Sequence, residues 1–397
     1  MILSNKAMKI KPSSTLAITA KANQMKADGI DVIGFGAGEP DFDTPQHIKD
    51  AAIAAINAGF TKYTPVAGTV ELRNAICKKF KEDNNLEYKP SQIVVSNGAK
   101  HSLTNTFMAI LNPGDEVIIP APFWLSYPDM VSLADGVPVI IKTLKENAYK
   151  VTMEELEKAY TSKTKALIIN SPSNPTGMLY SKQELEAIAK FAIEKDIFVV
   201  SDEIYEKLIY DGQEHISIAS LNDEIYKRTV VINGVSKSYS MTGWRIGYTA
   251  SSEEVAKLMS NVQSHAASNP NSIAQKATVA AINGPQECVE EMKAEFDARR
   301  KYMVERVNKM KNISCISPEG AFYVFIDVED TFGMKYKDMT IESAADFAAA
   351  IIEGEQVAVI PCEDFGFGTH IRISYAISHK NIEKGLDRLE SFVNSLQ

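Results

Sequence analysis

Lys237 and Arg245 stand eight residues apart in Ser236-Lys237-Ser238-Tyr239-Ser240-Met241-Thr242-Gly243-Trp244-Arg245, a segment crowded with hydroxyls. It follows an apolar, β-branched run, Val230-Val231-Ile232, that stops at Asn233-Gly234. That is the pattern of a buried strand ending in a turn. Open α/β sheets place ligands just beyond such strand ends. Desolvation there lowers an ammonium pKa and turns the amine into a nucleophile toward carbonyls. Arginine adds a permanent cation whose fork suits a phosphate. Together the two suit an aldehyde that carries a phosphate. Taken alone, a surface loop with two solvated cations is the simpler reading.

Other strand ends supply matching parts. In Phe198-Val199-Val200-Ser201-Asp202-Glu203-Ile204-Tyr205 a carboxylate closes an apolar run. An unpaired buried charge costs several kcal/mol, so Asp202 needs a partner. A pyridinium nitrogen would serve, and the pairing would keep that ring protonated; Tyr205 could then reach the ring's phenolic oxygen. Asp202 could equally be the N-cap of a following helix. After the strand Ala166 to Asn170, the turn Ser171-Pro172-Ser173-Asn174-Pro175-Thr176-Gly177 is stiffened by two X-Pro bonds, with a cis bond plausible at Asn174-Pro175. Its Asn174 amide could donate to a ring oxygen or a carboxylate, or could be ordinary turn chemistry. Ser96-Asn97-Gly98-Ala99-Lys100 runs from strand to turn to helix, where free N–H groups and the helix dipole make a phosphate seat. Trp124, in a Pro-flanked loop, could lie on an aromatic cofactor or simply pack. In His370-Ile371-Arg372-Ile373, Arg372 faces away from two isoleucines; pointing inward it would need an anion such as a carboxylate, pointing outward it would be solvated. A phosphorylated aldehyde on a pyridinium ring describes pyridoxal phosphate (PLP).

The elements that must position these groups alternate. Strands are expected at 31–35, 93–96, 117–120, 137–141, 166–170, 198–201 and 229–233. Helices are expected between most of them, notably 46–58, 70–84, 101–111, 153–160 and 181–194. Short apolar strands alternating with amphipathic helices predict an α/β fold whose mostly parallel sheet is covered by helices on both faces. From 253 to about 311 the text is helical. Thereafter strands at 321–328, 358–361 and 370–376 surround helices at 341–352 and 382–396, a smaller α+β domain. The division predicted is 1–45 as an N-terminal arm completing the small domain, 46–290 as the large domain, and 291–397 as the small one.

Composition closes off other classes. A net charge of −9 lacks the basic surface that nucleic acid requires. No apolar run nears the ~20 residues that span a bilayer. The start, MILSNKAMKIKPSS, carries no export signal. Cys77, Cys288, Cys315 and Cys362 are scattered like the reduced thiols of a cytoplasmic protein, and six histidines without HxH or HxxH spacing predict no metal site.

With GEPDFDTP, KYTPVAG, NSPSNPTG, SDEIYE, SKSYSMTGWRIGY and HIRISYA in place, the whole chain resembles the class I aminotransferases of PLP fold-type I, most closely the bacterial aspartate aminotransferase branch. The resemblance implies a transaminase that moves the amino group of aspartate or glutamate to a 2-oxo acid in a ping-pong cycle. It implies that Lys237 binds the cofactor covalently, that Asp202 pairs with its ring nitrogen, and that Tyr205 and Asn174 contact its ring oxygen. Arg245, Ser236 and the Gly98-Ala99-Lys100 turn would hold the phosphate, and Trp124 would stack on the ring. Gly38 and Arg372 would take the substrate α-carboxylate and Lys100 a second carboxylate. Lys11 matches a basic position linked in that branch to prephenate as an acceptor. Tyr63 would reach the phosphate of a neighbouring subunit, which implies a homodimer with shared sites. One departure stands out: the animal-type relatives carry a phosphate-binding serine three residues before the lysine, and here that position is Gly234. The same contacts would also serve a PLP-dependent C–S lyase or an aromatic aminotransferase. A PLP-binding regulator would need an added DNA-binding domain that neither the length nor the charge provides.

Overall fold

The computed structural model describes residues 3–10 and 12–397. Its main sheet has seven strands in the spatial order Ile93–Ser96, Gly247–Ala250, Thr229–Gly234, Phe198–Asp202, Thr164–Asn170, Glu116–Ala121 and Val137–Lys142. Six run in one direction and Gly247–Ala250 runs against them. The alternation of side chains along each strand explains the two-sided core. Val230 and Ile232 enter one apolar cluster with Leu103 and Phe107, whereas Val231 enters another with Leu72 and Phe80. Likewise Val117 and Ile119 face one layer while Ile118 faces Leu185, Ile188 and Phe191 on the other. With helices on both faces, the sheet leaves the C-terminal ends of its parallel strands as the place for ligands.

Helix starts follow local chemistry. The Ser181 hydroxyl accepts from the Glu184 N–H at 3.3 Å while the Glu184 carboxylate accepts from the Ser181 N–H at 2.7 Å, which sets the start of the helix Lys182–Glu194. Thr152 and Glu155 do the same for Met153–Ala159.

A second, antiparallel sheet carries Ile360–Pro361, His370–Ser374, Tyr323–Asp327 and Ser314–Cys315 in that order. It packs with the helices Ala344–Gly354 and His379–Ser395 around Phe322, Phe347, Ile371, Ile373 and Phe392. The N-terminal chain joins this body, because Ile33–Gly34 pairs in parallel with Val357–Ala358. Phe35 fits there only because helix residue 385 is glycine: a Cβ would stand 2.4 Å from its ring.

Four expectations need correction. The strand expected at 31–35 has two residues, since its neighbour Val357–Ala358 is equally short. The run 358–361 divides at Val359 between two sheets. The C-terminal helices begin three residues off the expected starts, at Ala344 and His379, where Ser343 and Ser378 precede them. Gly247–Ala250 is an additional strand; four residues opened by a glycine carry too little periodicity to announce it.

Candidate active site

The register of the main sheet gathers the predicted residues at one edge. Asn170 lies opposite Asp202, and Gly234 lies opposite Gly247, which also pairs with Ser96. Glycine at 247 lets the start of the helix Ala99–Ile110 approach, because a Cβ would meet the Ala99 nitrogen at 2.2 Å. The same crowding explains Gly234. A side chain there would stand 3.0 Å from both Gly247 Cα and the Ile246 carbonyl oxygen, so no serine fits, and the nearby hydroxyl in the cleft is Ser236. Gly98, at φ +86°, leaves the space beside the helix start to the Arg245 guanidinium. Arg245 holds its place by donating to the carbonyls of Thr242 at 2.8 Å and Asn97 at 3.4 Å. Helix N–H groups and a fixed cation thus converge on one spot, an anion seat.

Above this floor opens a cleft of about 430 Å³, of a size for a cofactor with a small substrate. Ala99, Lys100, Trp124, Asn174, Asp202, Tyr205, Ser236, Lys237, Arg245, Arg372 and Gly38 all line it. Asp202 is buried; the Tyr127 hydroxyl donates to its Oδ2 at 2.7 Å and the Ile204 N–H to its Oδ1 at 3.3 Å. Burial pushes its carboxyl up to about 6, against those two donors. No helix follows Asp202, so the N-cap alternative falls. Burial also lowers the Lys237 amine to about 8, with Glu39 opposing and Arg372 and Arg245 assisting. Its Nζ donates to the Gly38 carbonyl at 2.5 Å. On the opposite wall Arg372 is 2% exposed, donating to Asn174 Oδ1 at 2.9 Å and to the Gly36 carbonyl at 3.2 Å, with its Cζ 4.3 Å from the Tyr323 ring centre. Its Nε is buried without a hydrogen-bond partner. Such a guanidinium retains capacity for a carboxylate. Lys100 lies at the rim with Nζ 4.8 Å from the Trp124 ring centre, its pKa lowered by burial and then by Arg245.

The site contains residues that the pattern of motifs did not single out. Tyr127 stands three residues after Trp124, at helical spacing, and its phenol reaches Asp202. Tyr323 lies opposite Ser374 on the second sheet. Glu39 accepts from Thr242 Oγ1 at 2.7 Å, and Thr15, Leu16 and Thr19 line the cleft from the helix Ser14–Ala27. Tyr63, expected at a neighbouring subunit's site, is 90% exposed and does not line the cleft of its own chain, and Lys11 lies outside the described residues.

The model of the family described as aminotransferase class I and II matches residues 30–389. The chain belongs to that family. It is therefore a PLP-dependent aminotransferase of fold-type I. It is 51% identical to an aspartate aminotransferase of Bacillus subtilis over 394 residues, covering 99% of each chain. It is 46% identical to an aspartate/prephenate aminotransferase of Nitrosomonas europaea, covering 99% of this chain and 100% of the other. The solved structure of an aspartate aminotransferase from Thermus thermophilus with maleate matches at a TM-score of 0.93 and 41% identity, over 99% of this chain and 100% of that one. The cleft fits the cofactor on its own terms. A buried carboxylate faces it without a buried cation in hydrogen-bond contact, an amine of lowered pKa stands beside it, and a helix start with an arginine offers a phosphate seat.

Proposed function

We propose that this aminotransferase takes the amino group from aspartate or glutamate and passes it to a 2-oxo acid such as 2-oxoglutarate, with prephenate as a further acceptor. The carrying observation is that, besides Lys237 and the Arg245 of the phosphate seat, two further cations line the same cleft, the buried Arg372 and the rim residue Lys100. A dicarboxylate offers each of them an oxyanion, and the relatives named for aspartate support the choice. Arg372, with Asn174 and Gly38 around it, would take the α-carboxylate, and Lys100 the distal one. Lys11 would add a positive charge for prephenate.

The residues divide the chemistry between them. Asp202 and its donor Tyr127 would hold the ring nitrogen, Tyr205 and Asn174 the ring oxygen, Trp124 the ring face, and Ser236, Arg245 and the 98–100 turn the phosphate. Bound there, PLP supplies an electron sink for the carbon that loses its proton. The Lys237 amine, which burial brings down to about 8, would take the proton from the substrate α-carbon at Nζ. Tyr63, exposed on its own chain, is free to complete the phosphate seat of a second copy in a cytoplasmic homodimer with shared sites. We also propose a small domain of 1–45 with 291–397 over a large one of 46–290.

The test is an assay of the PLP-loaded protein with aspartate and glutamate against 2-oxoglutarate, oxaloacetate and prephenate. Amino exchange with dicarboxylic partners is expected. Release of pyruvate, ammonia and a thiol from cysteine conjugates without exchange would replace this reading by the lyase one.

A further inference from the structure

Tyr323 has a position that the cofactor and substrate roles above do not use. It is 1% exposed, in the strand Tyr323–Asp327. Its ring lies under the Arg372 guanidinium at 4.3 Å, and its hydroxyl is 3.0 Å from the hydroxyl of Tyr205. A Cβ on Gly38 would stand 3.4 Å from that same hydroxyl. One side chain therefore touches the carboxylate arginine and the ring-oxygen tyrosine, and fills the space beside the glycine whose carbonyl accepts from Lys237.

We infer that Tyr323 is a positioning residue for amino transfer, donating its phenolic proton to the Tyr205 oxygen so that Tyr205 gives its own proton to the cofactor's ring oxygen. This rests on the proposed contact of Tyr205 with that oxygen. The proposed donation from Tyr205 to the ring oxygen sets the direction. Each phenol has one proton to donate, and at 3.0 Å one of the two hydroxyls must accept. Among the described residues Tyr205 is the hydrogen-bond partner of the Tyr323 hydroxyl, which leaves Tyr323 no competing acceptor. Burial holds the Tyr205 phenol well above its ordinary range, so it keeps a proton to give. A hydroxyl that accepts one hydrogen bond donates a stronger one. With the cofactor bound, such a donor would stabilise negative charge on the ring oxygen and so lower the pH at which the visible band titrates. The ring of Tyr323 acts separately from its hydroxyl, supporting Arg372 by cation–π contact.

The test titrates the visible band of the PLP-loaded protein against pH. Wild type should show a band with a defined midpoint. Tyr323→Phe keeps the ring and removes the proton, and should raise the midpoint by about 0.5 to 1 unit with an unchanged melting temperature and KM within about twofold. Tyr205→Phe should raise it further, and adding Tyr323→Phe to Tyr205→Phe should change nothing. An unmoved midpoint in Tyr323→Phe overturns the relay, as does an equal shift in the Tyr205→Phe background or a raised KM with an unmoved midpoint. Failure of the cofactor reading looks different: wild type itself would then show no titrating band.

Discussion

Two surfaces of the cleft position their groups by different means. On the floor, Asp202 ends its strand, Lys237 follows the end of its strand by three residues, and Ala99 begins the helix just after Ser96. Their spacing is a property of sheet register, held by backbone hydrogen bonds. On the facing wall, Arg372 is held by Asn174 and by Gly36, a partner 336 residues distant in sequence, and it rests on Tyr323. Floor groups are placed by main chain, whereas wall groups are placed by one another. Substitutions on the floor should therefore remove chemistry and leave their neighbours where they are, while substitutions on the wall should spread.

The largest effect belongs to Lys237→Ala. Losing the amine removes both the covalent anchor and the proton carrier, so kcat should fall by about 10⁴ or more, with a melting temperature near wild type. Single-turnover kinetics measure this, and turnover within tenfold of wild type would break the assignment of the floor. Asp202→Asn keeps the shape and removes the charge. A loss of about 10³ in kcat is expected, together with weakened PLP retention on dialysis, while Tyr127 keeps an acceptor in the new amide oxygen.

Beneath the floor lies a buried charge network that asks whether main chain alone holds it. Glu203 accepts from Ser201, Ser217 and His215 at 2.9, 2.7 and 3.0 Å. Glu206 is paired with Lys79 and accepts from Asn84 at 2.9 Å. Burial alone would raise the Glu206 carboxyl, but Lys79, then His215, hold it at about 2. Glu203, Glu206 and His215 place ligand atoms within 4.8 Å of one another, yet the Lys79 ammonium already sits on Glu206. Lys79→Met leaves a carboxylate buried without its cation and should cost roughly 3–5 kcal/mol of unfolding free energy by urea titration. A loss under about 1 kcal/mol would mean that the register of the sheet is self-sufficient.

The contrast between floor and wall also marks how far the sequence could be read. Val230-Val231-Ile232-Asn233-Gly234 announces its strand by composition, and Lys237 is placed as soon as that strand is. Asp202 and the 98–100 turn follow by the same rule, so the floor was legible one segment at a time. The wall was not. Arg372 could be marked as a cation in an alternating strand, but whether it pointed inward depended on Asn174, Gly36 and Tyr323 from three other segments. Tyr323 and Tyr127 look like ordinary core tyrosines until a partner's hydroxyl or carboxylate is set beside them. Lys79 and His215 sit 136 residues apart around two glutamates, a pairing no local spacing reveals. Contacts of that kind are tertiary facts.

Arg372→Leu probes the wall. Removing a charged hydrogen-bonding fork should raise KM for aspartate about 10²-fold and, because Asn174 loses its donor, should also weaken PLP retention modestly. A KM effect with unchanged retention would show the wall to be as modular as the floor.

The smallest effect concerns the floor before the cofactor arrives. Burial raises the Asp202 carboxyl to about 6 in the folded chain, above the ordinary carboxylate range near 4 of the unfolded one. Between those two values the folded state binds more protons than the unfolded state, so stability contributed by Asp202 falls as pH rises through about 4 to 6 and levels off above. Asn at 202 mimics the protonated form and carries no such dependence. Apoprotein Asp202→Asn should thus match wild type near pH 4 and exceed it by about 3 kcal/mol near pH 7, at about 1.4 kcal/mol per unit, in urea unfolding across that range. Loading with PLP should erase the difference or invert it, because a protonated ring nitrogen rewards the charge that burial penalises. A wild-type minus Asp202→Asn difference that stays flat with pH in the apoprotein would mean that Tyr127 and the Ile204 N–H already satisfy the carboxylate, leaving the cofactor nothing to neutralise.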